Sequence, residues 1–202
     1  MTQNQHRRAF LRNTSLISIG VAGGLIVPKV FWSGDSNEAI AVENANTPEQ
    51  RLKDLGIILP KPPSPVAVYV PAVRQGSLLF TSGHGPKQKN GTNIVGKVGK
   101  ELTLKQGYDA ARVTGLNVLA TVRKTIRSLN HVVRLVKVLG MVNCTSTFTK
   151  QPQVVNGFSE LMVQVFGEKL GKGARSAVGM GSLPGNIACE IEAIFEVRGP
   201  GL

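Results

Sequence analysis

The residues best suited to chemistry lie near the C-terminus, where an arginine and two glutamates flank a predicted turn. Arg175-Ser176-Ala177-Val178 is predicted to open a strand, Leu183-Pro184 lies in the turn, and Glu190-Ile191-Glu192 follows in the next strand. A hairpin of this kind would bring a guanidinium and a carboxylate to the same end of a sheet. Arginine offers a planar fork to a ligand carboxylate, and glutamate activates water when burial raises its pKa. A structural Arg–Glu ion pair is the alternative, and from the residues alone it is the commoner outcome.

The numbers and spacing of the remaining reactive residues argue against several other common chemistries. Beyond residue 41 the chain has two histidines and two aspartates, and no sequence presents a nucleophile elbow. The cysteines and histidines lack paired ligand spacing, so we predict no metal site. The glycine-rich stretches near residues 172 and 180 do not open a helix after a strand, and we predict no organic cofactor. Cys144 and Cys189 lie in apolar sequence and are predicted to be buried free thiols, with a disulfide as the alternative.

The elements that must position these residues follow from periodicity. Thr103 and Gln106 form a capping box that predicts the start of a long helix, whose apolar stripe continues to Leu129. Further elements are predicted as strands at 66–73, 77–81, 132–142, 174–180 and 187–197, and as a second helix at 154–166. Residues 82–100 are predicted to form a loop. Strands and two long helices that do not strictly alternate predict an α+β fold, with both helices packed on one face of a sheet.

The N-terminus is typical of an export signal. Arg7-Arg8 and Arg12 precede an apolar run at 15–27, a pattern like that of twin-arginine signals of bacteria. Ala39 and Ala41 suit cleavage before Val42, and an uncleaved anchor is the alternative. We therefore predict a signal peptide at 1–41, a proline-rich lead-in at 42–65 and one domain at 66–202, located in the periplasm without a membrane span after cleavage. The prolines of the lead-in predict that it lies along the surface without a regular helix.

The ordered motifs resemble one known family. Gly76 to Gly83 (GSLLFTSG), the Asn156–Leu161 segment NGFSEL, and the C-terminal Arg175, Leu183-Pro184 and Glu190 motifs are similar to those of the reactive-intermediate deaminase (YjgF or Rid) family, in its chorismate-mutase-like branch. The resemblance covers about residues 67–197. It implies one mixed sheet, a homotrimer with ligand clefts between subunits, and hydrolysis of 2-imino acids to 2-keto acids and ammonia without a cofactor.

The resemblance also implies roles for individual residues. The carboxylate-binding arginine falls on Arg175 and the water-positioning glutamate on Glu190, while Tyr69 and Ser82 match residues that line the cleft. Two further cleft positions depart from the family pattern: Ala177 stands where cysteine is common, and Ser159 stands where asparagine is common. His84 likewise stands where glutamine or glutamate is usual. Such departures in a cleft change the ligand more readily than the fold.

Three hypotheses for function follow. The first is an imine or enamine deaminase, and the second is a non-catalytic envelope module that binds a small carboxylate. The third is RNA binding or cleavage, prompted by a formal net charge of +12. Nucleic acid is not expected as a partner, because Trp32 lies in the predicted signal and few aromatic residues remain for base stacking. Val113 and Leu116 fall on the basic flank of the first helix and predict a surface for a homotrimer.

Overall fold

The computed structural model describes residues 47–62, 64 and 67–199, so the predicted signal peptide lies outside the described residues. The helices are α1 (Pro48–Asp54), α2 (Leu104–Ile126), α3 (Gln151–Phe166) and α4 (Glu168–Gly171). The strands are β1 (Ala72–Gln75), β2 (Leu78–Thr81), β3 (Val132–Asn143), β4 (Ala174–Met180) and β5 (Cys189–Val197). Among the described helices, none combines the length and apolarity that a bilayer crossing requires.

The strands form one mixed sheet in the order β1-β2-β5-β3-β4. β3 and β4 are parallel, and the other neighbouring pairs are antiparallel. The predicted α+β fold is confirmed. The predicted hairpin between the last two strands is wrong, because β3 lies between β4 and β5. The chain from β3 through α3 to β4 is a crossover that brings β4 parallel to β3, which leaves the other edge of β3 for β5.

The helices α2 and α3 cover the same face of this sheet. Thr114 of α2 contacts Cys189 on β5, and Phe166 of α3 packs its ring 6.2 Å from that of Phe195 on the same strand. The alternate residues of β5 are buried under the two helices: Cys189, Ile191, Ala193, Phe195 and Val197. Both cysteines are buried free thiols.

The start of α2 is the one that its sequence predicts. Thr103 accepts a hydrogen bond from the backbone N–H of Gln106 (3.2 Å), and the Gln106 side chain accepts one from the Thr103 N–H (2.9 Å). These two bonds satisfy backbone donors that the first turn leaves free. The helix ends at Ile126, where Arg127 adopts a left-handed conformation with φ of 68°.

The lead-in segment contains a helix, so the prediction that it has no regular helix is wrong. α1 precedes the prolines that begin at Pro60, and its own Pro48 stands in the first turn, where no backbone donor is lost. Glu49 fastens this helix to the rest of the domain, since its carboxylate accepts the backbone N–H of Leu129 at 2.9 Å and faces Arg123 at 3.4 Å. Leu52 is buried in the core.

The opposite face of the sheet is open and partly apolar. Val73, Phe80 and Val178 are exposed there, with exposures of 52%, 39% and 40%. The strand predicted at 66–73 is shorter than expected and begins only at Ala72. Val68 and Val70, which the prediction placed in this strand, are exposed and lie before it, and Pro71, which follows Val70, cannot donate to a strand neighbour.

Candidate functional site

Arg175 lies on the edge strand β4 and points to the helix-covered face. Its Nη1 donates to Asn156 Oδ1 at 2.8 Å and to Ser159 Oγ at 3.0 Å, both on α3. The guanidinium has further N–H groups on Nε and Nη2, which have no hydrogen-bond partner among the described residues. Those two atoms form the edge of the fork that matches a carboxylate in bidentate geometry. Arg175 is therefore held by one nitrogen and open at the others.

Arg175 stands at one side of a cleft of about 600 Å³ between α3, α4 and the sheet. Leu135 and Val138 of β3 and Val163 of α3 contribute apolar surface to this cleft, which we call the arginine cleft. Ser159, which the resemblance placed in the ligand cleft, lies here too. Ala177 follows two residues after Arg175 on the same face of β4 and packs against the core.

Glu190 points to the open face of the sheet, because its neighbours Cys189 and Ile191 are buried under the helices. Its carboxylate lies directly over Gly83, and a Cβ atom at that position would overlap Glu190 Oε1. Partial burial raises the pKa of the Glu190 carboxyl above its ordinary value, and the negative charge of Glu192 raises it further. Glycine at position 83 is thus what allows the carboxylate to sit against the backbone.

The Glu190 carboxylate borders a second cavity of about 620 Å³, which we call the glutamate cleft. Tyr69 and Ser82 line it, in agreement with the positions that the resemblance implied. The Ser82 hydroxyl donates to the Val70 carbonyl at 2.6 Å, so this serine fixes the turn. Lys87 also lines this cavity, although it is not among the residues predicted for the site.

His84 secures the floor of the glutamate cleft. Its ring is buried, with Nδ1 2.7 Å from the Ser82 carbonyl and Nε2 2.8 Å from Thr121 Oγ1. Because a carbonyl only accepts, Nδ1 carries the proton and Nε2 accepts from the Thr121 hydroxyl. The backbone of His84 also exchanges two hydrogen bonds of 2.9 Å with Ile191, beside Glu190. Burial lowers the pKa of His84, with the bond to Ser82 opposing that shift.

This histidine predicts a loss of stability in acid. Since the pKa of His84 is lower in the folded than in the unfolded chain, its stabilising contribution is present above the ordinary value of 6.5 and is lost as the pH falls below it. We expect His84→Gln to flatten the decline in unfolding free energy between about pH 7.5 and pH 5.5. Urea denaturation at both pH values measures the unfolding free energy, with His131→Gln as the control variant. An equal decline in wild type and His84→Gln would contradict this role.

The predicted site residues thus fall into two groups on opposite faces of the sheet. Arg175 and Ser159 lie at the arginine cleft, while Tyr69, Ser82 and Glu190 lie at the glutamate cleft. One chain does not bring its arginine and its glutamate together. Sequence reasoning missed three contributors, Asn156, Gly83 and Lys87. Asn156 precedes Ser159 by three residues, which places both on one helix face, and that spacing was the available signal.

The comparisons with known proteins identify the family of this chain. A family model described as "YjgF/chorismate mutase-like, putative endoribonuclease" matches residues 49–197. The chain belongs to this family. The match begins within α1, so the YjgF-like domain includes the helix that precedes the prolines.

Individual YjgF-like relatives are similar over most of their length. Protein TCP17 of Trypanosoma cruzi is 40% identical over 147 residues, which cover 73% of this chain and 92% of that protein. The structure of Atu1372 from Agrobacterium tumefaciens, whose function is described as unknown, is 35% identical with a TM-score of 0.69, covering 79% of this chain and 98% of that one. The E. coli TdcF structure with bound serine is 25% identical with a TM-score of 0.51, covering 69% and 94%.

Proposed function

We propose that this protein hydrolyses 2-imino acids to 2-keto acids and ammonia in a cleft that binds the substrate carboxylate. The observation that carries the proposal is the half-free guanidinium of Arg175, which can bind a carboxylate; Glu190, whose pKa is raised, supplies a base at the separate glutamate cleft. The serine bound to TdcF, a small molecule with a carboxylate, supports a ligand of this class. No residue in the argument requires a metal or an organic cofactor.

The proposed chemistry follows from the two side chains. Arg175 binds the carboxylate of the imino acid through Nε and Nη2. Glu190 in its ionised form accepts a proton from water as the water oxygen attacks the carbon of the protonated imine, which gives a neutral carbinolamine. Glu190 returns this proton to the nitrogen; as the C–N bond breaks and ammonia leaves, the hydroxyl gives its proton to Glu190, which releases it to solvent, and becomes the keto group. Tyr69 and Ser82 shape the cavity around this centre.

A second subunit is needed to complete the cleft. Arg175 and Glu190 lie on opposite faces of one sheet, but β4 is an edge strand from which Arg175 can reach a neighbour. The open face, with exposed Val73, Phe80 and Val178, offers apolar surface for that neighbour. We therefore propose a homotrimer with three shared clefts. Val113 and Leu116, the predicted contact, instead border a cavity of about 410 Å³ beside Pro60, so the open face is the better candidate interface.

The assay that tests this function generates imino acids in place with an amino-acid oxidase and traps them with semicarbazide. We expect the domain to lower the yield of trapped semicarbazone in proportion to its concentration. Binding of carboxylates without any effect on trapping would instead support a non-catalytic module. Binding of RNA that weakens steeply with salt and does not change when Arg175 is replaced would support the third hypothesis.

Sedimentation at micromolar concentration tests the trimer, and a monomer would contradict the shared cleft.

The contact between Glu190 and Gly83 gives a sharper prediction. We expect Gly83→Ala to displace the carboxylate and to lower kcat by about 10-fold, because small misplacements of a catalytic group are costly. The matched control is Gly181→Ala, where a Cβ would meet open space. Steady-state kinetics of both variants, with circular dichroism to verify folding, measure the effect. Equal kcat values for Gly83→Ala and wild type would show that the placement of Glu190 over Gly83 is irrelevant to turnover.

Export remains a proposal of its own. We propose that Arg7-Arg8 directs the folded protein to the periplasm and that the signal is removed near Val42; both positions lie outside the described residues. Replacing both arginines with lysine should abolish the periplasmic pool. An undiminished pool would contradict twin-arginine export without affecting the proposed chemistry.

A further inference from the structure

A further cavity, of about 550 Å³, is bordered by three lysines. It lies between the lead-in segment, which contributes Lys61, and the loop at 82–100, which contributes Lys87 and Lys89. All three side chains are exposed, and we call this cavity the lysine groove. Because no carboxylate is among the described side chains that border it, the three ammonium groups give the groove a positive potential.

The lysine groove is continuous with the glutamate cleft. Ser64, Lys87 and Asn117 border both cavities, so the two meet at these residues. Glu190 lies in the glutamate cleft and does not border the groove. A ligand that occupies both cavities therefore places one end near a carboxylate and the other end among ammonium groups, with Lys87 at the junction.

Hydrogen bonds hold the backbone that carries Lys87. The buried Asn117 side chain of α2 donates to the carbonyls of Gly85 at 3.1 Å and of Lys87 at 3.0 Å. Beyond Lys87, the Gln88 N–H donates to the Thr92 carbonyl at 2.8 Å and closes the loop. A ligand here meets a preformed site, because little free energy is lost in ordering the loop.

The three lysines of the groove have no ion-pair partner among the described residues. The ion pairs in that part of the chain join other groups: Lys100 with Glu101, Lys105 with Asp109, Arg123 with Glu49, and Lys172 with Glu168. Ammonium groups around one cavity repel one another. An anion bound between them relieves this repulsion in addition to its own attraction to each lysine.

We propose that the lysine groove binds a second anionic group, a carboxylate or a phosphate, of a ligand whose other end lies in the glutamate cleft. Lysine binds either group as a point charge and does not need the bidentate geometry of a guanidinium. Under the proposed function, on which the assignment as substrate rests, the substrates are 2-imino acids whose side chain ends in such a group. Lys87 then determines specificity, because it borders both cavities.

Calorimetry with matched ligands measures the contribution of the second anionic group. Adipate has as many carbons as 4-methylpentanoate and one more carboxylate, and suberate is related to octanoate in the same way. We expect at least one dicarboxylate to bind about 10-fold more tightly than its monocarboxylate partner. 5-Phosphonopentanoate replaces one carboxylate of adipate with a phosphonate. Tighter binding than adipate would assign the groove to phosphate, and weaker binding would assign it to carboxylate.

Variants of the groove test whether the lysines supply this gain. Lys87→Gln should reduce the advantage of the dicarboxylate several-fold, and glutamine at positions 61, 87 and 89 together should abolish it. Lys87→Arg should preserve it, because the charge is retained. The control is Lys124→Gln, which removes an exposed lysine of α2 that borders neither cavity. An unchanged advantage in the triple variant, or an equal loss in Lys87→Gln and Lys124→Gln, would overturn the groove.

The trapping assay tests the assignment as substrate. Imines of 2-aminoadipate and of norleucine have equal numbers of carbons, and only the first carries a second carboxylate. We expect kcat/KM to be about 10-fold higher for the 2-aminoadipate imine in wild type, with most of this preference lost in Lys87→Gln.

The outcomes separate the groove from the proposed function. Equal binding within both ligand pairs would overturn the groove and leave the deaminase standing if imines are hydrolysed. Dicarboxylate binding that depends on Lys87, without turnover of any imine, would support the groove and contradict the deaminase. Absence of both the binding preference and turnover would overturn both.

Discussion

Glutamine at position 190 is expected to lower kcat for imine hydrolysis by about 10³-fold, since the amide cannot accept a proton from the attacking water. The substitution preserves size and position over Gly83, so binding of 4-methylpentanoate should change by less than about threefold. Steady-state kinetics and calorimetry on the same preparation measure the two quantities. The control is Glu196→Gln, which removes a carboxylate from the same strand face further from the glutamate cleft. Retained turnover in Glu190→Gln would remove the general base from the mechanism.

The pH dependence of the hydrolysis rate also tests the role of Glu190. Burial raises the pKa of Glu190 and the charge of Glu192 raises it further, so the ionised form is lost at a pH above the ordinary value of 4.5. The rate should therefore fall on the acid side with an apparent pKa above 4.5. Replacing Glu192 with glutamine should move that fall to lower pH, because one of the two causes is removed. If the rate fell at the same acidic pH in wild type and in Glu192→Gln, the proposed effect of the Glu192 charge on the pKa of Glu190 would be contradicted.

Lysine at position 175 is expected to weaken carboxylate binding by about 30-fold although the charge is retained. The ammonium lacks the planar fork, and its three donors cannot both contact Asn156 and Ser159 and present a bidentate pair to a ligand. Because the carboxylate anchors the substrate before and during attack, kcat/KM should fall by at least the same factor. Calorimetry with 4-methylpentanoate and the trapping assay measure the two effects.

The control for this variant is Arg134→Lys, an exposed arginine of β3 that belongs to neither cleft as defined above. It should leave binding unchanged. Equal loss in both variants would indicate a general effect of charge placement. Unchanged binding in Arg175→Lys would mean that the carboxylate binds elsewhere.

Local patterns predicted the two long helices, α2 and α3, and the interior strands because their signals lie within a few residues. The capping box at Thr103 fixes the start of α2, and the continuous apolar run of β3 marks a strand buried in the sheet. The order of the strands depends on long-range pairing. The prediction that β4 and β5 form a hairpin was therefore wrong. The crossover through α3 places β4 beside β3, and no short-range sequence feature shows that β4 pairs with β3 instead of β5.

Residue types in the sequence suggest which side chains could form a site, but they do not predict how those side chains are placed. Arg175 and Glu190 carry groups suited to the chemistry, but which face each presents depends on the register of two strands that are not neighbours. The role of Gly83 could not be predicted from the sequence either, because it depends on Gly83 having no side chain that would displace the Glu190 carboxylate. Asn156 could have been found from its helical spacing to Ser159.

Mixing two impaired variants tests the shared cleft most directly. Arg175→Lys and Glu190→Gln subunits, unfolded together and refolded at equal amounts, would form trimers in which about one quarter of the clefts carry both intact residues. We predict recovery of about a quarter of the wild-type kcat/KM for imine hydrolysis, against about one thirtieth or less when either variant is refolded alone. Failure of the mixture to exceed the separately refolded variants, with trimers verified by sedimentation, would contradict a cleft built from Arg175 of one subunit and Glu190 of another.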